Sequence, residues 1–183
     1  MILPRPELVR ELGAVLLAAV VTSTGCSEDR PEPSARVGGS TNVVQFSGSE
    51  LKVPAGWTAE KIQGGLLVMA AEVHDGWQAN LFLEEKADPD SRSLADWLEA
   101  APESLRQQKQ GFNLLDRSVH TSAGGLEYAR VEYTFTSRDV PLREWYIVGK
   151  RGNGKKVFIY ASAAVGRWEQ DSPVFKGIVD SLR

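Results

Sequence analysis

The chain has 183 residues, 42% of them hydrophobic and 25% charged, with a formal net charge of −3. That size and mixture suit one globular domain with its own core, and the lack of a basic excess excludes a protein that grips nucleic acid by charge. One cysteine excludes an internal disulfide, so packing alone has to hold the fold.

The first stretch reads as an export signal. Arg5 and Arg10 give a charged start, residues 12–21 form an apolar run broken only by Gly13, and Ser23, Thr24 and Gly25 form a small-residue exit before Cys26. The run is far shorter than the ~20 apolar residues of a membrane-spanning helix, which points to a cleaved segment. Residues 14–21 are apolar on every face, which argues against an amphipathic helix of a cytosolic protein. Ending at a cysteine, residues 23–26 resemble the lipobox of bacterial lipoproteins, with Ser23 where such motifs usually carry Leu. The resemblance implies cleavage before Cys26, a diacylglycerol on its sulfur, an acyl chain on its nitrogen, and a lipid-anchored protein facing the periplasm or the exterior. It further implies that Ser27 permits sorting to the inner leaflet of an outer membrane in cells that have one. The same small residues suit an ordinary signal peptidase, which would leave Cys26 as a free thiol. Residues 27–42, SEDRPEPSARVGGSTN, are too poor in apolar side chains to offset their chain entropy and read as a flexible tether.

A single domain is expected over residues 43–183. Residues 43–46 and 51–53 are short strands around a Ser47-Gly48-Ser49 turn, and the second stops at Pro54-Ala55-Gly56-Trp57. Apolar runs at 66–71 and 79–83 flank a loop at His74-Asp75-Gly76-Trp77. Ser93, with Asp96 three residues on, starts a helix whose Leu94, Trp97, Leu98, Ala101 and Leu105 share one face. Pro102 lies inside this pattern, and a proline in a helix interior costs ~3 kcal/mol, so a kink or restart is expected there. Strands follow at 112–121, 126–136, 142–150 and 156–163, separated by short Gly- and Asp-containing turns that favour antiparallel neighbours. In the second of these, Ala129, Val131, Tyr133 and Phe135 share one face, while Arg130, Glu132 and Thr134 share a wet one. The last two strands are apolar on both faces and need cover on both sides. Ser172 as N-cap and Pro173 as first residue open a final helix with Phe175, Ile178, Val179 and Leu182 in one stripe. The fold class is therefore α+β, a three-layer helix/antiparallel sheet/helix sandwich.

This order of elements, with Val53-Pro54-x-Gly56-Trp57, an acidic-capped helix, a Tyr/Phe-rich strand, an aromatic strand and a closing Ser-Pro-x-Phe helix, is similar to the PsbP-like superfamily. That group includes an extrinsic photosystem II protein, Mog-type Ran-binding proteins, and DcrB-like and LpqN-like lipoproteins. The resemblance covers residues 43–183. It implies an antiparallel sheet between helices and an accessory or binding module rather than one activity. The photosystem metal positions and the Ran-binding surface match no residues here, so neither is carried over.

Nothing in the chain assembles a catalytic set. There are two histidines, His74 and His120, and no Gly-x-Ser-x-Gly elbow for a serine nucleophile. Asp116 and His120 lie on one side of a strand, but four residues of strand span ~13 Å, too far to share an ion. His74-Asp75 reads as a solvated turn, and Asp88-Pro89-Asp90-Ser91 as the turn before the helix. No catalytic residue, cofactor or metal is expected. Two groups are candidates for a binding surface. Lys150, Arg151, Lys155 and Lys156 surround a Gly152-Asn153-Gly154 tip that could meet anionic headgroups, against the simpler reading of a solvated turn. Trp57, Trp77 and Trp168 adjoin turns and could rim a partner surface, against the simpler reading of core packing, which Trp97 and Trp145 fit. The functional expectation is a lipid-anchored, extracytoplasmic, non-catalytic accessory protein that binds a protein partner in the cell envelope. The alternative is a carrier with an apolar or lipidic ligand between sheet and helix, and a third reading is a hydrolase or metalloenzyme using His74 or His120.

Overall fold

Two antiparallel meanders are joined edge to edge in the computed structural model, which describes residues 42–87, 92–152 and 154–183. The leader, Cys26, the tether up to Thr41, the turn at residues 88–91 and Asn153 lie outside the described residues. A hairpin of β1 (Asn42–Phe46) and β2 (Ser49–Val53) forms a small sheet of its own. The first meander is β3 (Trp57–Ile62), β4 (Gly65–His74) and β5 (Trp77–Ala87). Helix α1 (Leu94–Gln108) then carries the chain to the far edge. From there β6 (Asn113–Thr121), β7 (Glu127–Ser137), β8 (Val140–Lys150) and β9 (Lys155–Ala164) return until β9 pairs with β5. The resulting seven-stranded sheet has the order β3-β4-β5-β9-β8-β7-β6, antiparallel throughout. A short 3₁₀ turn and α2 (Trp168–Asp180) close the chain.

Alternation along the strands builds two separate cores. In β8, Trp145 and Ile147 join Leu81, Leu83, Ile159, Leu51 and Val53 under α2, which contributes Trp168, Phe175, Ile178 and Val179. Leu142 and Val148 of the same strand join Ala129, Val131, Tyr133 and the apolar stripe of α1. Side chains an odd number of residues apart on a strand point to opposite faces, so β8 is buried on both. Phe175, fully buried, is the hub under α2, with rings of Trp57, Trp168 and Trp145 at centroid distances of 5.7, 5.9 and 6.3 Å.

Two expectations need correction, and one strand is added. Residues 57–62, to which the sequence assigned no element beyond the turn ending at Trp57, form a strand in register with β4, Trp57 facing Ala70; this pairing gives the polar residues there backbone partners. Helix α1 runs through Pro102 without a restart. Leu98 and Ala101 before the proline and Leu105 after it are all buried against the sheet, and that packing outweighs the lost backbone bond. Ser93 does cap α1, its Oγ accepting from the Asp96 N–H at 3.0 Å. Helix α2 begins at Trp168, so Ser172 and Pro173 lie inside it. Trp168 is buried and packs edge-on against Trp145 at 5.3 Å, which pins a first turn that has no side-chain cap.

The β6–β7 turn docks onto the end of α2. The Gly124 N–H donates to the Asp180 carbonyl at 2.8 Å, and the Ser122 hydroxyl donates to the Leu182 carbonyl at 2.9 Å. A Cβ on Gly124 would stand 2.1 Å from the Leu182 oxygen, whereas one on Gly177, inside α2, would meet nothing within 4 Å. Gly124→Ala is expected to lower stability by about 1–3 kcal/mol because backbone must move, and Gly177→Ala to raise it by about 0.5–1 kcal/mol through helix propensity. Paired urea denaturation curves of the two variants and the parent check both signs.

Candidate functional site

Register sets the first cluster. Phe82 of β5 lies opposite Tyr160 of β9, and Tyr160 lies opposite Tyr146 of β8. Their rings stack in a row, 6.3 Å from Phe82 to Tyr160 and 4.7 Å from Tyr160 to Tyr146, and Trp97 of α1 meets Tyr146 edge-on at 4.9 Å. Helix α1 packs on β6, β7 and β8. On the same face of β5 and β9, beyond that contact, Phe82, Phe158 and Tyr160 are each partly exposed. The result is an aromatic ledge beside the helix.

Charged groups border the ledge, most of them paired. Glu84, 4% exposed, takes the Lys86 ammonium at 2.7 Å, and that ammonium also lies 5.7 Å from the centroid of Phe158. Buried Lys156 donates to the Arg92 carbonyl at 2.9 Å. Beneath α1, buried Glu144 accepts from the Tyr133 hydroxyl and from Lys109 at 3.2 Å. Burial pushes the Tyr160 hydroxyl far up, with its neighbour Tyr146 adding to the effect. Burial also raises Tyr146, although hydrogen bonds from Tyr160 and Trp97 oppose it. Both therefore stay protonated at neutral pH, as hydrogen-bonding groups rather than bases or nucleophiles. A flat row of rings with ammonium–carboxylate pairs at its edge suits contact with apolar and cationic groups of another molecule.

The second cluster lies on the opposite face, expected to be wet from the sequence; instead Glu132 is buried there and Arg130 is partly buried, because ion pairs within the sheet satisfy both. Ser118 spans the gap between Asp116 and His120, its Oγ donating to Asp116 Oδ2 at 2.9 Å and lying 2.8 Å from His120 Nε2. Its hydroxyl fills the distance that strand rise puts between Asp116 and His120. Asp116 also accepts from Arg130 at 3.0 Å, and Glu132 accepts from Arg143 Nε at 2.7 Å. The order Asp–Ser–His is not that of a nucleophile activated by a histidine held by an acid. One hydroxyl hydrogen serves one acceptor; given to Asp116, it leaves the His120 ring as the donor to serine. Arg130 and Ser118 hold the Asp116 carboxyl below its usual range. Burial, and then the Arg130 charge, depress the His120 imidazole, with Asp116 opposing.

The residues singled out from sequence scatter over the domain. Trp57 and Trp168 are buried in the core around Phe175, so neither offers a face to a partner. Trp77 is partly buried against the α1-side core, its indole N–H buried without a hydrogen-bond partner. The four cationic residues do not make one positive tip. Lys150 and Lys156 face each other across β8 and β9, and Lys155 pairs with Glu85 at 2.7 Å. The Arg151 side chain is 8% exposed and donates to Ser49 at 3.2 Å and to the Arg183 carbonyl. Strand alternation sends Lys155 and Lys156 to opposite faces, and Arg151 ties β2 to the end of the chain. His74 contacts Glu72 at 3.2 Å. Among the described residues no three His, Cys, Asp or Glu side chains converge on one point. A depression of about 430 Å³ between the β1–β2 and β3–β4 turns is open to solvent, and Lys61, Glu85 and Lys155 contribute to its lining; it is not an enclosed apolar cavity between sheet and helix.

With this architecture in view, likenesses to solved structures are informative. LpqN of Mycobacterium tuberculosis, described as involved in cell envelope biogenesis, aligns with a TM-score of 0.57 at 16% identity, over 79% of this chain and 83% of its own. The cyanobacterial PsbP of Synechocystis sp. PCC 6803 aligns with a TM-score of 0.54 at 19% identity, over 83% and 98%. The Ran-binding protein Mog1p of Saccharomyces cerevisiae aligns with a TM-score of 0.52 at 10% identity, over 78% and 93%. No protein-family model and no curated protein matches the sequence. At these identities the likeness establishes the fold alone: the domain has the PsbP/Mog-type fold, a mostly antiparallel sheet with two helices.

The depressed His120 carries a pH signature. A group whose folded pKa lies below its unfolded value of 6.5 adds stability above pH 6.5, and that stability is lost as pH falls through the folded value. Thermal melts between pH 7.5 and 5 are expected to show a fall in Tm that His120→Gln flattens; an unchanged slope in the variant would remove His120 as its source.

Proposed function

We propose that this chain is a lipid-anchored, extracytoplasmic accessory protein, held by an acylated Cys26 and binding a protein partner in the cell envelope without catalysing a reaction. The anchoring rests on the lipobox-like residues 23–26 and the tether after them. In this reading the anchor faces the periplasm or the exterior, and lies in the inner leaflet of an outer membrane where the cell has one. The domain works as a three-layer helix/sheet/helix body, a view supported by the two cores on opposite faces of β8.

One observation carries the binding reading. Phe82, Tyr146 and Tyr160 form a continuous row of rings whose outer members are partly exposed beside α1, and large rigid rings concentrate binding energy at interfaces. The polar groups around them are paired within the chain rather than poised on a reacting atom. Membership of LpqN, a protein of cell envelope biogenesis, and of the Ran-binding Mog1p in the same fold is compatible with an envelope role and with a protein ligand.

Two measurements test the proposal. Intact mass of the protein extracted from membranes is expected to show loss of residues 1–25 and added acyl chains; a free-thiol mass at Cys26 would end the anchoring claim. Affinity capture from crosslinked membranes is expected to recover a discrete protein, and Phe82→Ala with Tyr160→Ala to reduce recovery at least about tenfold, as loss of ring contacts at a hot spot implies. Equal recovery by parent and variant would remove the ledge as the contact.

A further inference from the structure

Helix α1 covers only part of its side of the sheet. It packs on β6, β7 and β8, and the buried residues of the core beneath it come from α1, β7 and β8 alone. On the same face the sheet continues outward through β9, β5, β4 and β3, and there Phe82, Phe158 and Tyr160 are partly exposed. Four strands ~4.8 Å apart make a floor roughly 19 Å wide. Leu67 lies opposite Phe82 in the strand pairing, and Phe82 opposite Tyr160, so all three stand on this face. Leu67 is 6% exposed yet belongs to neither core. The Phe82 ring rests over Gly65, where a Cβ would stand 2.7 Å from it; only glycine lets the ring lie this low.

The flank of α1 beside this floor carries no charge. Trp97 meets Tyr146 and marks the β9 side of the helix, while Glu99 reaches Arg117 of β6 at 3.1 Å and marks the other. Helical spacing places Ala100, Ala101, Ser104 and Gln108 with Trp97, and Gln108 Nε2 donates to Ser104 Oγ at 3.0 Å along that line. Arg106 lies on the side of Glu99, over the Phe112 ring at 5.6 Å. Ala100 and Ser104 are exposed. A helix flank that faces only water is usually charged or polar. A small, uncharged one lets a second helix approach to the ~8–10 Å of packed helices. Across the floor, β3 forms the outer rim. Glu60 lies opposite Leu67 and so stands on this face. It is exposed, and no hydrogen bond or ion pair holds it among the described residues. Glu84 on the same face is neutralised by Lys86, which leaves the rim with a net negative charge. The floor itself has no backbone groups to offer, because its strands are already paired. An extended segment would find no ladder there, whereas a helix satisfies its own backbone and brings only side chains.

We infer that the open half of this face is a groove for a helix of the partner protein. An amphipathic helix lies alongside α1, its apolar stripe on Leu67, Phe82 and Tyr160, its small residues against Ala100 and Ser104, and a lysine or arginine over Glu60. The inference rests on the proposed function's reading of the ledge as the partner contact, and it names the shape and charge of the segment bound.

Photocrosslinking reads the bound segment directly. Benzoylphenylalanine replaces Phe82, Phe158, Ala100 or Ser104 in turn in the full chain, and native membranes are illuminated. Mass spectrometry of the adducts is expected to place all four on one segment of one protein, at residues spaced i, i+3, i+4 and i+7, with a lysine or arginine on its flank. Adducts on alternate residues, adducts scattered over unrelated segments, adducts to lipid alone, or none above a dark control overturn the inference. Glu60→Lys is expected to lower the adduct yield at position 82 at least about fivefold, because it sets like charges together. Glu72→Lys, the same charge change at a side chain 78% exposed and outside the groove, is expected to leave the yield unchanged. Equal yields from the two variants overturn the basic helix. The outcomes separate this inference from the reading beneath it. If Phe82→Ala with Tyr160→Ala reduces partner recovery but the adducts lack helical spacing, the partner stands and the helix falls. If Cys26 proves unacylated, the anchor falls and the groove is still tested by its adducts.

Discussion

The ladder between β5 and β9 is the joint on which the rest of the structure depends. Each meander can form from local hairpins, but only this pairing, from Asn80 opposite Ser162 to Ala87 opposite Lys155, ties them into one sheet. Its two strands are far apart in sequence, so closing it costs chain entropy that the shorter turns do not. The return is burial on one face and a ring stack on the other. Leu81 and Leu83 stand beside Ala161 and Ile159 in the core under α2, while Phe82 stands against Tyr160 on the side of α1. The same ladder that unites the domain therefore builds its candidate binding surface.

The polar chemistry of this sheet is internal. Glu144 with Tyr133 and Lys109, Glu84 with Lys86, Glu132 with Arg143, and Asp116 with Arg130 are all pairs formed within the domain. Removing one member of a buried pair leaves the other desolvated and uncompensated, which costs far more than the pair contributes. Such groups restrict which strand neighbours are acceptable. A one-residue slip of β8 against β7 would move Glu144 away from Tyr133 and into the core under α2, so the network reinforces the register that the apolar pattern demands.

Much of the sheet was legible in the sequence. Two-faced apolar runs in residues 142–150 and 156–163 called for cover on both sides, and the two cores meeting across β8 answer that requirement. Ser93 and Asp96 marked the start of α1 because a capping hydroxyl acts over three residues. Where the reading departed from the structure, distant partners had intervened. The start of α2 is set by Trp168 against Trp145, not by the local signal at Ser172 and Pro173. Residues 57–62 are a strand because β4 pairs with them. Ser118 became a bridge between Asp116 and His120 because a side chain fills the distance that backbone spacing alone left open.

What the sequence by itself determined is what periodicity and composition control: the alternation of the strands, the helical stripes, the tight turns, the single cysteine after an apolar segment, and the absence of a recognisable catalytic motif. Each follows from residues close together in the chain, where geometry depends on local backbone physics. Only the tertiary structure decided that Phe82, Tyr160, Tyr146 and Trp97 form one row, that Trp57 and Trp168 are core, and that Arg151 donates to Ser49 and to the Arg183 carbonyl. Those outcomes depend on which strands become neighbours and in what register. That choice minimises exposed apolar area and unpaired polar groups over the whole domain, a quantity that no short window of sequence contains.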